Sequence, residues 1–273
     1  MNFFIVDAFT NEPFKGNPAG VVLLDKNLPK ELKQNIAKEI GFSETSFVLK
    51  KGKEFFIEYF TPVSEIDLCG HATIATFYVL HHLKLLESKK VLLHTKAGKL
   101  NIYISEEKIF MEQARPKLGE TIEKEKISKA LNISVDDFDT LPVQKAFTGL
   151  WDLIVPVKSK KILLNINPDL EYMKQFKDVA SFHVFTLDES NGLCNTRNFA
   201  PLYGINEEAA TGTANGALFY YLYKHNIVKK DKVYKIIQGE SLNRKSEIFV
   251  TFDEKIKVGG TAKIIFKGQL LDF

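Results

Sequence analysis

The chain has 273 residues, 45% hydrophobic and 26% charged, a balance that supports a folded core and excludes a disordered chain. Lys and Arg exceed Asp and Glu by three, 37 against 34, and the two signs are interspersed, with Arg115, Arg197 and Arg244 the only arginines; this argues against a nucleic-acid surface. The most apolar stretches, 72–80 and 216–222, fall short of the about 18 continuous apolar residues that a membrane span needs.

In chain order, residues 3–8 and 20–24 read as strands joined by a structured loop carrying Asn11, Pro13, Gly16, Asn17 and Pro18. Leu32, Ile36, Ala37 and Ile40 recur at helical spacing ahead of Gly41, a stop signal. Strands are expected at 45–49, 54–60, 91–93, 100–104 and 108–112, with Gly98 at a turn. Helices follow at 124–131 and, with Pro168 at an N1-like position, at 169–176. Strands return at 153–155, 180–186, 233–238, 248–252 and 262–266. Two further helices, starting at Gly70 and Gly212, are apolar nearly all round and are expected to be buried on most of their circumference.

These two helices resemble each other. Phe60-Thr61-Pro62 precedes the first and Phe199-Ala200-Pro201 the second; Gly70, Ala72 and Leu80 then match Gly212, Ala214 and Leu222 at the same spacing. Ser46-Phe47-Val48 finds a weaker echo in Ser181-Phe182-His183-Val184. The pattern indicates an internal duplication: two α/β halves, each a curved, mostly antiparallel sheet around one buried helix. Pro116 and Gly119 punctuate the boundary, giving domains 1–116 and 117–273, with the last strand able to return to the first.

If the halves are related, the two helix starts can face one another across the seam, where free N–H groups and partial positive charge suit a small carboxylate. His71 follows Gly70 and can bond an acid or shuttle a proton. Glu44 lies in a small-residue turn before a strand, and Glu208 just before the second helix; partial burial would raise such carboxylates from about 4.3 toward neutrality and make them general bases. No metal-binding His/Glu motif and no glycine-rich nucleotide loop is present, so neither metal nor cofactor is expected. Cys69 and Cys194 form no CxxC and follow no secretory signal, which fits a reducing, cytoplasmic compartment. A two-thiol racemase needs a second cysteine, but the internal match places Thr211 opposite Cys69; Cys69 reads as a small buried hydrophobe in a turn.

Several segments in order, Val6-Asp7-Ala8-Phe9-Thr10, Gly16-Asn17-Pro18-Ala19, Ser43-Glu44-Thr45-Ser46-Phe47, Leu68-Cys69-Gly70-His71-Ala72-Thr73, Arg197 with Phe199-Ala200-Pro201, Thr211-Gly212-Thr213-Ala214 and Val258-Gly259-Gly260, together resemble the PhzF-like (phenazine biosynthesis F) isomerase family. That resemblance implies an α+β fold of the diaminopimelate epimerase type: two pseudo-symmetric halves, each a rolled, mostly antiparallel sheet around a central helix, usually assembled as a homodimer. It implies a cofactor-independent isomerase that moves a proton on a small carboxylic acid. Glu44 would be the proton-transferring carboxylate, with His71 and Glu208 as further catalytic groups and Asn17, Ser43, Gly70, Gly212 and Thr213 binding substrate.

The chain departs from the family near the substrate. The usual Glu-Asp-Pro-x-Thr-Gly-Ser reads Glu207-Glu208-Ala209-Ala210-Thr211-Gly212-Thr213, with one added methylene, one added methyl and no proline, and loss of the proline is expected to loosen this loop. An amino-acid epimerase of the same fold and a non-catalytic carboxylate-binding module are the competing expectations.

Overall fold

The computed structural model describes residues 1–271 and divides into two compact units, Met1–Glu112 with the chain from Gly259 onward, and Gln113–Val258. In the first unit β1 (Asn2–Ala8) is antiparallel to β2 (Asn17–Leu24) on one side and to the strand Ala262–Gln269 on the other. β2 runs parallel to β3 (Thr45–Lys51), which is antiparallel to β4 (Glu54–Phe60). The two-residue β5 (Glu65–Ile66) pairs with β4, which also runs parallel to β6 (Lys90–Thr95); β7 (Gly98–Ser105) and β8 (Lys108–Glu112) follow as antiparallel neighbours.

Two helices cover opposite faces of this sheet. α1 (Lys30–Ile40) ends where Gly41 enters the left-handed region, φ 73°, and returns its N–H to Ala37. α1 packs Ile36 and Ala37 onto Val22, Phe47 and Phe60. α2 (Gly70–His82) lies against β1, β2, β3 and β8, and every residue from His71 to Leu80 except Tyr78 is buried, which is why its sequence shows no polar face. Ser46 reaches α2 through Thr76, whereas its neighbour Phe47 joins the α1 cluster. That is the period-two alternation of a strand buried on both sides.

The second unit repeats the plan. β9 (Lys117–Thr121), β10 (Gln144–Phe147) and β11 (Trp151–Pro156) are antiparallel neighbours. β11 runs parallel to β12 (Ser181–Thr186), which is antiparallel to β13 (Cys194–Ala200). The short β14 (Ile205–Glu208) pairs with β13, as does the parallel β15 (Val233–Gln238), followed by the antiparallel β16 (Ser246–Phe252). α3 (Lys124–Leu131), α4 (Lys160–Asn165) and α5 (Leu170–Met173) seat Ile127, Leu163 and Met173 on Leu153, Phe182 and Val184. α6 (Gly212–Lys224) packs on β10, β11, β12 and β16 and is buried along most of its length. Among the described residues no helix is long and apolar enough to cross a membrane.

Three expectations change. The helix expected at 169–176 is the single turn of α5: the Asp169 carboxylate caps it by accepting from the Tyr172 N–H at 2.9 Å, so Pro168 precedes the cap and is not at N1. β9, β10 and β14, with the strand Ile256–Gly260, were not expected as strands; all are five residues or fewer, and the first three are rich in Lys, Gln and Glu. The Ser-Phe-Val echo is also displaced. Thr45 pairs with Phe60 and Phe182 with Phe199, so aligning the two Phe-x-Pro marks makes Ser181 the counterpart of Glu44 and His183 that of Ser46. A slip of two residues keeps every side chain on its face, which is why the displaced pattern still looked alike.

Candidate active site

In the first unit the chain between β1 and β2 turns through left-handed Phe9, Phe14 and Gly16. Phe14 donates its N–H to buried Asp7 Oδ2 at 2.8 Å, and a Cβ on Gly16 would lie 2.2 Å from the Ala8 carbonyl oxygen, so only glycine fits. This turn delivers the buried Asn17 amide to the His71 ring, its Nδ2 3.2 Å from Nδ1. From the other side, the turn before β3 is fastened by the Gly20 N–H donating to the Glu44 carbonyl at 3.1 Å. It sets Glu44 Oε2 3.1 Å from His71 Nε2.

Cys69, at the N-cap of α2, is held because both the N–H and the hydroxyl of Thr73 donate to its carbonyl, at 3.0 and 2.6 Å. Its Sγ lies 3.4 Å from His71 Nδ1. The structure thus brings Asn17, Glu44 and His71 together beside Gly70 and Ser43, and adds Cys69, which the sequence reading set aside as a turn hydrophobe. Its signal was its place two residues before His71 at a helix start, where the chain doubles back.

The electrostatics correct one expectation. Burial does push the Glu44 carboxyl up, but the charge of His71 and hydrogen bonds from His71, Ser43 and Cys69 outweigh it and leave Glu44 below its usual range. Burial disfavours a charged His71, yet its acidic neighbours Cys69 and Glu44 hold it well above the ordinary histidine value. Burial and the Glu44 charge raise the Cys69 thiol. This favours an ionised carboxylate, able to accept a proton, against a histidine drawn toward its protonated form, to which the Asn17 amide would have to present its oxygen, and a thiol drawn toward its neutral form. The ligand atoms of Glu44, Cys69 and His71 lie within 4.8 Å of one another, but a metal ion there would have to displace the protons held on Cys69 and His71.

In the second unit Glu208 ends β14 and Gly212 opens α6. Thr211 occupies the N-cap, yet its hydroxyl does not cap the helix; it donates to Glu208 Oε2 at 2.8 Å. The loop that lacks the proline is anchored at several points. Ala210 is fully buried, the Ala209 carbonyl accepts from Ser246 Oγ at 3.0 Å, and Gln238 bonds both Thr211 and the Glu208 carbonyl. These anchors come from side chains of β15 and β16. Thr213 accepts from Thr148 at its carbonyl, 2.8 Å away, and its extra methyl packs toward Gly149.

Behind Glu208, polar side chains continue inward. Asn215, His183, Asn198, Ser181 and Asp152 are each at most 4% exposed and bonded in series. Burial, with the nearby Glu208 carboxylate, pushes Asp152 up to about 7 against the pull of its Ser181 bond. Burial pulls His183 down to about 4. Sequence reading passed over both, since their signal is only a polar residue at an inward position of an apolar strand.

Residues 6–268 match a family model described as phenazine biosynthesis-like protein. The chain is 35% identical to an uncharacterised isomerase of Clostridium acetobutylicum, covering 99% of this chain and 98% of the relative. It is 28% identical to the trans-2,3-dihydro-3-hydroxyanthranilate isomerase of Pseudomonas fluorescens, with 99% of each chain covered. The crystal structure of a PhzF-family phenazine biosynthesis protein from Bacillus anthracis is similar at a TM-score of 0.89 and 32% identity, over 100% of this chain and 99% of that one. With its α+β architecture and a family match along nearly its whole length, the chain belongs to the phenazine biosynthesis-like (PhzF) family of isomerases.

Proposed function

We propose that the protein isomerises a small carboxylic acid by moving one proton, with Glu44 as the group that takes and returns it. The observation that carries this reading is the buried pair of Glu44 and His71, 3.1 Å apart at the start of α2. Glu44 is ionised and so able to accept a proton. His71 and the first N–H groups of α2 supply positive charge for a substrate carboxylate and for the delocalised anion left when the proton departs. Gly70 allows close backbone approach, Asn17 orients the imidazole, and Ser43 supports Glu44. Glu208 is the second acidic group, with Gly212 and Thr213 as binding groups at the start of α6.

The relative from Pseudomonas fluorescens acts on trans-2,3-dihydro-3-hydroxyanthranilate, so a cyclic, unsaturated carboxylate is the first substrate class to test. In deuterated buffer the wild-type protein should introduce deuterium into its substrate, and Glu44→Gln should abolish this with the circular dichroism spectrum unchanged. Retained exchange would remove Glu44 from its role. Cys69→Ala should keep exchange, because the thiol is held protonated and its counterpart is Thr211; loss of exchange would favour the thiol chemistry of an epimerase.

A further inference from the structure

We propose that Gln238, Asn215 and His183 are positioning residues that fix the direction of the hydrogen bond gripping Glu208, and that His183 does so as the Nε2–H tautomer. The proposal rests on the reading of Glu208 as a reacting group and adds the side chains that act through it.

The polarity of the chain of bonds follows from its main-chain ends, which cannot exchange donor and acceptor roles. The Thr211 N–H donates to Gln238 Oε1 at 3.3 Å, and the Glu208 carbonyl accepts from Gln238 Nε2 at 2.8 Å. These two bonds decide which end of the Gln238 amide is which. Nε2 also approaches Thr211 Oγ1, at 3.3 Å. The hydroxyl accepts there, so its own hydrogen is left to point at Glu208 Oε2.

Inward, Gln238 Oε1 accepts from Asn215 Nδ2 at 2.7 Å, and the same Nδ2 donates to the Thr211 carbonyl at 2.8 Å. Asn215 must then present its oxygen to His183, 3.2 Å from Nε2, and an acceptor at that place requires a hydrogen on Nε2. Burial keeps the ring neutral, so Nδ1 is bare and needs a donor. The inward amide atom of Asn198, placed as Oδ1, lies 3.0 Å from Nδ1 and accepts from Ser181 Oγ at 2.7 Å, an assignment that would face a bare Nδ1 with an acceptor. Amide oxygen and nitrogen exchange by a half-turn; nitrogen inward satisfies His183 and leaves the Ser181 hydroxyl to donate to Asp152 Oδ1 at 2.6 Å. With the Asn198 amide turned, each bond between neighbouring members of the series has one donor and one acceptor, and a flip at His183 would set its bare Nε2 against the Asn215 oxygen.

Two measurements test this. Nitrogen-15 NMR of histidine-labelled protein, with the His183 signal identified by its loss in His183→Gln, should show hydrogen on Nε2 and none on Nδ1 at neutral pH. An Nδ1–H or doubly protonated ring would overturn the proposal. In the exchange assay with turned-over substrate, Thr211→Val should lower kcat by about tenfold to a hundredfold with KM little changed, while Thr211→Ser restores it. Gln238→Glu, which puts an acceptor where Nε2 donates, should produce the same loss. Folded Thr211→Val protein with wild-type kcat would overturn the positioning role even if Gln238→Glu does not fold. Full activity of Glu208→Gln would instead overturn the role of Glu208 itself, and is distinguishable because the tautomer is decided by NMR alone.

Discussion

Asp152 and His183 sit in one buried series and pull the pH dependence of stability in opposite directions. Asp152 is raised from 3.8 to about 7, so between those values the folded chain holds a proton that the unfolded chain has lost, and stability falls as pH rises through that window. His183 is lowered from 6.5 to about 4; there the unfolded chain binds the extra proton, and stability rises with pH. Each contribution is of order 3 to 4 kcal/mol at most, and the overlapping windows largely offset each other. Single substitutions should unmask the partner. Urea unfolding of Asp152→Asn should show stability climbing from pH 4 to 6.5 and exceeding wild type at pH 8, whereas His183→Gln should lose stability from pH 4 to 7. Two curves parallel to wild type would show that neither group titrates in these windows.

At the scale of single elements, α1 shows what periodicity reveals and what it hides. Its apolar spacing and the Gly41 stop are legible in sequence because both are local. Lys33 is not, because a lysine beside Ile36 and Ala37 reads as a solvated flank. In the fold its side chain is 1% exposed, and the ammonium donates to Asn27 Oδ1 at 2.7 Å and Glu58 Oε1 at 2.5 Å. Glu58 remains 41% exposed, so the pair is asymmetric. Removing Lys33 leaves a carboxylate that water can hydrate; removing Glu58 leaves a buried cation with one amide oxygen. Lys33→Met should therefore cost less than about 1 kcal/mol, and Glu58→Ala about 3 kcal/mol, in chemical denaturation at neutral pH. Equal costs would show that the lysine reaches water when its partner is removed. β9 and β10 stayed hidden for the same reason as Lys33: their strand character comes from neighbours, not from their own polar residues.

For the whole molecule, the duplication was legible because two enclosed helices and their Phe-x-Pro marks survive in both units, but the chemistry does not repeat position by position. The counterpart of Glu44 is Ser181, and the carboxylate beside it, Asp152, comes from the adjacent strand in parallel register, where the first unit has Ala19. An acid moved sideways by one strand is invisible to sequence comparison of the two halves. The units also differ in how the chain builds them. The second is one continuous stretch, whereas the first needs the strand Ala262–Gln269, which pairs with β1 from Asn2 to Ala8, and Leu270 donates its N–H to the Met1 carbonyl at 2.9 Å. A chain ending at Val258 would leave β1 as an unpaired edge, with Phe4, Val6 and Ala8 losing cover that now buries them. Hydrogen exchange read by mass spectrometry should then show β1 and β2 losing protection, and with them the scaffold of Asn17, Glu44 and His71, while β12, β13 and β15 keep theirs. Uniform loss would mean that both units unfold as one cooperative block; full protection of β1 would mean that the returning strand, which pairs with β1, is dispensable to the scaffold of the site.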